Sequence, residues 1–165
     1  MGEGQKAIHD WTYLPFIGIT SAGFLVAGLD FVLRQDLTLH WPAVVGLALL
    51  ATGGYLRMKA RVELKAKARF PSLAATGRLQ TMNGHQLVTD GLYTRIRHPI
   101  YLGETLRNFG IVALLSSVYG AAFITAATLL LLHRIELEET LLLAVFGEAY
   151  QAYQRTTKKL IPYVY

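Results

Sequence analysis

The side chains able to do chemistry fall into two polar clusters, each at the edge of an apolar run. The first reads His85-Gln86-Leu87-Val88-Thr89-Asp90-Gly91-Leu92-Tyr93 and continues into Arg97-His98-Pro99-Ile100-Tyr101. A residue before proline is pushed out of the α region, whereas proline itself suits the first helical position, where its missing N–H costs nothing. The His98-Pro99 junction therefore predicts a helix start, with Tyr101 in the first turn and free backbone N–H groups around it. Such a terminus attracts an anionic group, for instance the carboxylate of a bound amino-acid moiety. A plain capped helix beside an interfacial tyrosine has the same pattern.

The second cluster reads Arg134-Ile135-Glu136-Leu137-Glu138-Glu139, followed by Phe146-Gly147, Tyr150 and Tyr153. Arg134 and Glu138 are four apart and share a helical face. As an exposed pair they would contribute only about 0.3–0.5 kcal/mol, and arginine N-terminal to glutamate is the weaker order. They also follow directly on the apolar run Val118–Leu132, where ionisable groups are costly and usually functional, unless Arg134 snorkels back to water. Glu104, Arg107 and Asn108 make a third group within about one turn, read either as an internal ion pair or as a polar wall of a substrate chamber. His9 and His133 have no ligand-spaced partners, so no metal site is expected. The absence of cysteine excludes disulfides, thiolate metal sites and a cysteine nucleophile.

These clusters must be positioned by long apolar elements. A bilayer crossing needs about 20 mainly apolar residues, since roughly 30 Å of hydrocarbon is spanned at about 1.5 Å per residue. The pattern predicts an all-α integral-membrane protein, one domain over 1–165, with four helices at about 11–33, 41–69, 99–117 and 118–147. The first block is too long for a signal-peptide core of about 7–15 residues. Gly18, Ala22, Gly23 and Ala27 mark a packing face on it. Between helices two and three lies a polar loop, 70–98, with a turn at Asp90-Gly91. Ser116, Ser117 and Gly120 supply a tight turn before the fourth helix, whose stem outlasts the bilayer. A tail, 148–165, follows.

Of 165 residues 53% are hydrophobic and the formal charge is +5. A basic excess beside apolar blocks marks a membrane face rather than a nucleic-acid partner. Arg57, Lys59, Arg61, Lys65, Lys67, Arg69, Arg78, Arg95 and Arg97, with Arg134, Arg155, Lys158 and Lys159, all fall on one side, against Arg34 on the other. The positive-inside rule then puts both termini, the loop and the polar clusters in the cytoplasm.

Together the clusters resemble the isoprenylcysteine carboxyl methyltransferase family, which also takes in phospholipid methyltransferase-like prokaryotic membrane proteins. The residues that carry the resemblance are His85 to Val88, Gly91, Tyr93, Arg97-His98-Pro99 with Tyr101 and Gly103, Arg134 with Glu138-Glu139, and Phe146-Gly147 with Tyr150, between Gln80 and Pro162. The resemblance implies a site for S-adenosylmethionine (SAM), leaving S-adenosylhomocysteine (SAH), wrapped by the loop and the extended C-terminal helix. It assigns cofactor contacts to Gln80, His85, Gln86, Leu87, Val88, Tyr93, His98, Pro99, Ile100, Tyr101, Glu138 and Glu139. It matches Arg134 to the residue that engages an acceptor carboxylate, so Arg134 and Glu138 are the expected catalytic residues.

Methyl transfer from a sulfonium is an in-line displacement, for which alignment can supply up to roughly 7–11 kcal/mol. A carboxylate acceptor is already ionised at neutral pH and needs no base; an amine would need one, with Glu139 or His98 as candidates. The expected substrate is lipophilic: a prenylated protein terminus, a lipid headgroup or a small molecule, met among membrane lipids. Phospholipid or small-molecule N- or S-methylation is the alternative within the family. Outside it stand a non-catalytic four-helix membrane scaffold, which would bind no SAM, and a membrane reductase of the sterol type, which would need NADPH.

Overall fold

The computed structural model describes residues 10–34, 40–67 and 86–164. Gln80, His85, His9 and most of the expected loop, 70–85, lie outside the described residues, as do the link 35–39 and the end of the expected second helix, 68–69.

Among the described residues five α-helices follow one another: α1 Tyr13–Arg34, α2 Trp41–Lys67, α3 Pro99–Leu114, α4 Val118–Phe146 and α5 Glu148–Thr156, with a 3-10 turn at Gly91–Thr94 before α3. Among the described residues no β-strand forms, though Ile96 and Lys158 make an isolated parallel bridge. The α1 and α4 helices are long and apolar enough to cross a bilayer. The α2 helix has 27 residues, but from position 57 onward it carries Arg57, Lys59, Arg61, Glu63, Lys65 and Lys67. At 16 residues α3 rises about 24 Å, less than the hydrocarbon thickness. Leu25, Leu33, Val44, Leu47, Val118 and Leu129 all face outward, an apolar surface suited to lipid rather than water.

The helix ends follow from local chemistry. Asp10 opens α1 by accepting from the Thr12 N–H at 3.2 Å and the Thr12 hydroxyl at 2.5 Å. The third helix was expected to reach Ser117 but stops at Leu114. Ser116 turns to a positive φ of 51°, and extended Ser117 becomes the N-cap of α4, its hydroxyl accepting from Gly120 N–H at 3.1 Å. Gly147, with φ +53°, ends α4 one residue before the expected limit.

Two helix pairs make up the body. The α2 and α3 helices run antiparallel with backbones in near contact at two glycine pairs, each pair of glycines seven residues apart along its helix. A Cβ added to Gly53 would lie 2.7 Å from the Gly103 carbonyl oxygen, and one on Gly103 equally close to that of Gly53. Gly46 and Gly110 stand in the same relation at 2.8 Å. Small residues at such crossings let apolar helices approach where burial from water provides no drive. The second pair is α1 against α4. Gly23 and Ala27 of the expected small face are buried against Gly120, whereas nothing approaches the position a Gly18 side chain would take. At the far end Arg34 donates to the Leu115 carbonyl at 2.7 Å and pairs with Asp30 at 3.4 Å. The opposite end collects nearly all other charge.

Candidate active site

His98 stands as the N-cap of α3 with Pro99 behind it, as the dipeptide dictates. Fewer amides are available there than the spacing suggested, because Tyr101 and Leu102 N–H groups both donate to the His98 carbonyl at 3.1 Å. The segment before α3 is tied to the C-terminal tail by backbone bonds: Arg97 N–H to the Lys158 carbonyl at 2.9 Å, His98 N–H to that of Lys159 at 3.1 Å, and Lys158 N–H to that of Arg95 at 3.1 Å.

From this anchored segment side chains reach the stem of α4. Glu139 is buried and takes three partners: Arg97 Nε at 2.6 Å, His98 Nε2 at 3.2 Å and Gln154 Nε2 at 3.1 Å. Arg97 is further held by the Thr157 carbonyl at 2.7 Å. The Tyr101 ring stacks on His98 at 5.7 Å, and its hydroxyl donates to Glu138 Oε2 at 2.7 Å. Arg134 in turn donates from Nε to the Tyr101 oxygen at 3.2 Å. Arg134 and Glu138 therefore share a face as expected, but Tyr101 bridges them. The side chain of Arg134 is buried rather than snorkelling, only 3% exposed, and its ion pair is with Asp10 at 2.5 Å.

The loop contributes a neighbouring apolar floor. Val88 and Tyr93 pack on Ala60, with Leu64, Leu92 and Ile100 beside them. The Tyr93 hydroxyl donates to the Ala60 carbonyl at 3.3 Å, and the Tyr93 carbonyl accepts from the Tyr153 hydroxyl at 2.6 Å. Burial first, then the Glu138 carboxylate, push the Tyr93 hydroxyl well above the ordinary tyrosine value, so it stays a donor. Gly91 takes φ +63° against the carboxylate of Glu63, which accepts Leu92 N–H at 2.9 Å; a side chain at Gly91 would be strained and would strike that carboxylate. Gln86 is exposed, Leu87 half-buried and Pro99 buried. The structure thus gathers Tyr93, His98, Tyr101, Arg134, Glu138 and Glu139 into one neighbourhood, with Val88, Pro99 and Ile100 at its margin. Among the described residues no group of histidines and carboxylates could hold a metal ion.

Three contacts or states at this end were not read from the sequence, although Arg97 and Tyr150 were singled out as residues. Arg97 and Gln154 complete the Glu139 network, and Asp10 reaches Arg134 across 124 positions; no spacing rule signals such a contact. The Tyr150 hydroxyl is the third. It is buried among Glu139, Arg97 and Glu138 without a hydrogen-bond partner, a state that costs about 1–3 kcal/mol. Burial, then Glu139, raise its pKa, so it remains a donor wanting an acceptor. The Glu104–Arg107 group is an internal pair at 2.5 Å that Arg57 also joins, set between α2 and α3.

Comparison with known proteins gives consistent results. Residues 46–144 match the sequence model of the isoprenylcysteine carboxyl methyltransferase (ICMT) family. A protein-S-isoprenylcysteine O-methyltransferase of Tribolium castaneum is 32% identical over 127 residues, 76% of this chain and 43% of the relative. A Delta(14)-sterol reductase of Mus musculus is 29% identical over 163 residues, 94% of this chain and 37% of the relative. The chain thus spans less than half the length of either. Among solved structures, the eukaryotic intramembrane Ras methyltransferase ICMT superposes with a TM-score of 0.66 at 26% identity, covering 95% of this chain and 54% of that one.

Proposed function

Because the chain belongs to the isoprenylcysteine carboxyl methyltransferase family, we propose that it is an integral-membrane, SAM-dependent methyltransferase acting on the carboxylate of a lipophilic, prenylated acceptor. The supporting observation is the continuous polar chain Arg134–Tyr101–Glu138 beside Arg97–His98–Glu139, formed by the two segments that carry the family motifs. In this reading α1 to α4 all cross the bilayer, the short α3 by local thinning around it, with the charged ends of α2 and α4 and both termini in the cytoplasm.

The residues present suit the cofactor. Glu138 is half-exposed and would face its cationic amino-acid end, Tyr150 offers an unpaired donor, and the Val88–Tyr93 floor is apolar. Loop residues Gln80, His85, Gln86 and Leu87 complete the proposed binding set with Pro99 and Ile100. When bound, SAM supplies an activated methyl group. Arg134 would hold the acceptor carboxylate in line, and no general base is needed because that group is already ionised. Glu139, whose carboxylate is committed to three donors, fixes His98 and Arg97 rather than moving a proton.

The test is calorimetric titration of the purified protein in detergent with SAM and SAH, followed by radiolabelled methyl transfer to N-acetyl-S-farnesylcysteine. Binding is expected, and Glu138→Ala should weaken it by tenfold or more. No heat at millimolar SAH, or heat with NADPH instead, would reject the methyltransferase in favour of a scaffold or the sterol-reductase chemistry of the second relative.

A further inference from the structure

The N-terminal segment lies across the guanidinium that the reading above gives to the acceptor. Asp10 Oδ2 meets Arg134 Nη1 at 2.5 Å, and the two side chains are 8% and 3% exposed. Asp10 is held in that position by its own neighbours. Its other oxygen accepts both the N–H and the hydroxyl of Thr12, itself fully buried. The Tyr13 ring lies 5.5 Å from the Arg134 guanidinium carbon, and Trp11 packs on His133 with ring centroids 5.6 Å apart. Residues 10–13 therefore strap the α4 stem at Arg134 itself, through Nη1, while Nε keeps its bond to Tyr101.

A carboxylate on a buried guanidinium is the interaction a carboxylate acceptor would have to make. Adding a second anion beside Asp10 leaves one of two negative charges in a poorly solvated place without a full partner, which is costly. We infer that Asp10 is a specificity-determining residue: it occupies the acceptor-carboxylate position on Arg134, so that an acceptor bearing a free carboxylate must displace it, whereas an uncharged acceptor of the same shape need not. The inference rests on the methyltransferase reading for the identity of the acceptor. Its physical content is the competition of two carboxylates for one arginine.

Asp10→Asn keeps an oxygen for Thr12 and removes the charge from Arg134. Binding of N-acetyl-S-farnesylcysteine and of its carboxamide is measured by calorimetry on the full chain in detergent, with and without saturating SAH. In Asp10→Asn the carboxylate ligand should bind at least tenfold more tightly, the carboxamide within twofold of the unsubstituted protein, and SAH as before. Thr12→Val, which removes one of the two bonds holding Asp10 but leaves both charges, should tighten the carboxylate ligand by a few-fold, and it carries the test if Asp10→Asn does not fold. Equal or weaker carboxylate binding in these variants, including no binding at all, overturns the inference, as does an equal gain for the carboxamide. Failure of SAH to bind the unsubstituted protein, with the carboxylate gain intact, would instead sink the methyltransferase reading and leave the competition at Arg134 standing.

Discussion

Replacing Glu139 by alanine removes the carboxylate on which the α3 start, the α4 stem and α5 converge. It leaves Arg97, with a side chain 9% exposed, without its counter-ion. Breaking a buried pair from one side costs about 3–5 kcal/mol, mostly the stranded charge. Here Arg97 keeps the Thr157 carbonyl at 2.7 Å and the Gln154 carbonyl at 3.4 Å, which places the loss near the lower limit, about 3 kcal/mol. For a chain of this length each kcal/mol moves the midpoint by roughly 2–4 °C, so Glu139→Ala should unfold about 6–12 °C lower in a thermal scan in detergent. Glu139→Gln keeps an acceptor and should lose about a third of that. The double variant Arg97→Met with Glu139→Leu should recover much of the loss, since an apolar pair of similar volume replaces a buried ion pair at little cost. A midpoint within 2 °C for Glu139→Ala, or a double variant no better than the sum of its singles, would refute the assignment of Glu139 as the anchor.

The glycine crossings give a second prediction: Gly53→Ala must push its Cβ against the Gly103 carbonyl and should cost about 1–3 kcal/mol, whereas Gly18→Ala, with open space around it, should be neutral or stabilise by up to about 1 kcal/mol; equal midpoints would deny the close approach. Tyr150→Phe should leave thermal stability equal or higher, having removed a donor without a partner, yet weaken SAH binding by about 5–10-fold, the worth of one hydrogen bond; unchanged affinity would show the hydroxyl has no ligand partner. Finally, Tyr93, Tyr150 and Tyr153 are all raised, first by burial. The unfolded chain ionises these groups near pH 10 while the folded one does not, so stability is unaffected below that value and falls above it by about 1.4 kcal/mol per pH unit for each tyrosine. Alkaline melts of Tyr153→Phe should show a slope shallower by about one such increment, and an identical slope would refute the burial argument.

How far the sequence disclosed this arrangement depends on the range of each interaction. The His98-Pro99 helix start was legible because proline acts on its immediate neighbours, and the stem of α4 because helix formers continue past the apolar run. The end of α3 was missed by three residues because Ser116 adopts a left-handed φ, a conformation that composition does not announce for serine. Arg134 and Glu138 were rightly set on one face, yet their partners come from elsewhere: Tyr101 from α3 and Asp10 from before α1. Heptad-spaced glycines on α2 and α3 were visible as residues, but their register against one another depends on a crossing between helices distant in sequence. Beyond the Arg97 guanidinium on the Thr157 carbonyl, the tail docks on Arg95, Arg97 and His98 through backbone groups, which every residue carries and none signals.

The placement of charge argues about purpose as well as fold. The α2–α3 pair is closed by glycine contacts and the α1–α4 pair by Gly23, Ala27 and Gly120, and away from the charged end Val112 of α3 packs with Ala27 and Ile124 to join the pairs through apolar contact. What joins the charged end of one pair to the other is polar: Arg97, His98 and Tyr101 from the α3 start meet Arg134, Glu138 and Glu139 on α4. Buried ion pairs are weak contributors to stability, since well-packed apolar side chains of like volume hold elements together at least as well. A chain built only to pack four helices would gain nothing by burying Arg97, Arg134, Asp10 and Glu139 there. Holding a fixed cation beside a fixed anion, with water excluded and the helices behind them rigid, is what orienting a charged acceptor against a cationic methyl donor requires. Ionised residues concentrated at the joint, where they cost most and stabilise least, are therefore the strongest physical argument that this end of the molecule is a site rather than a seam.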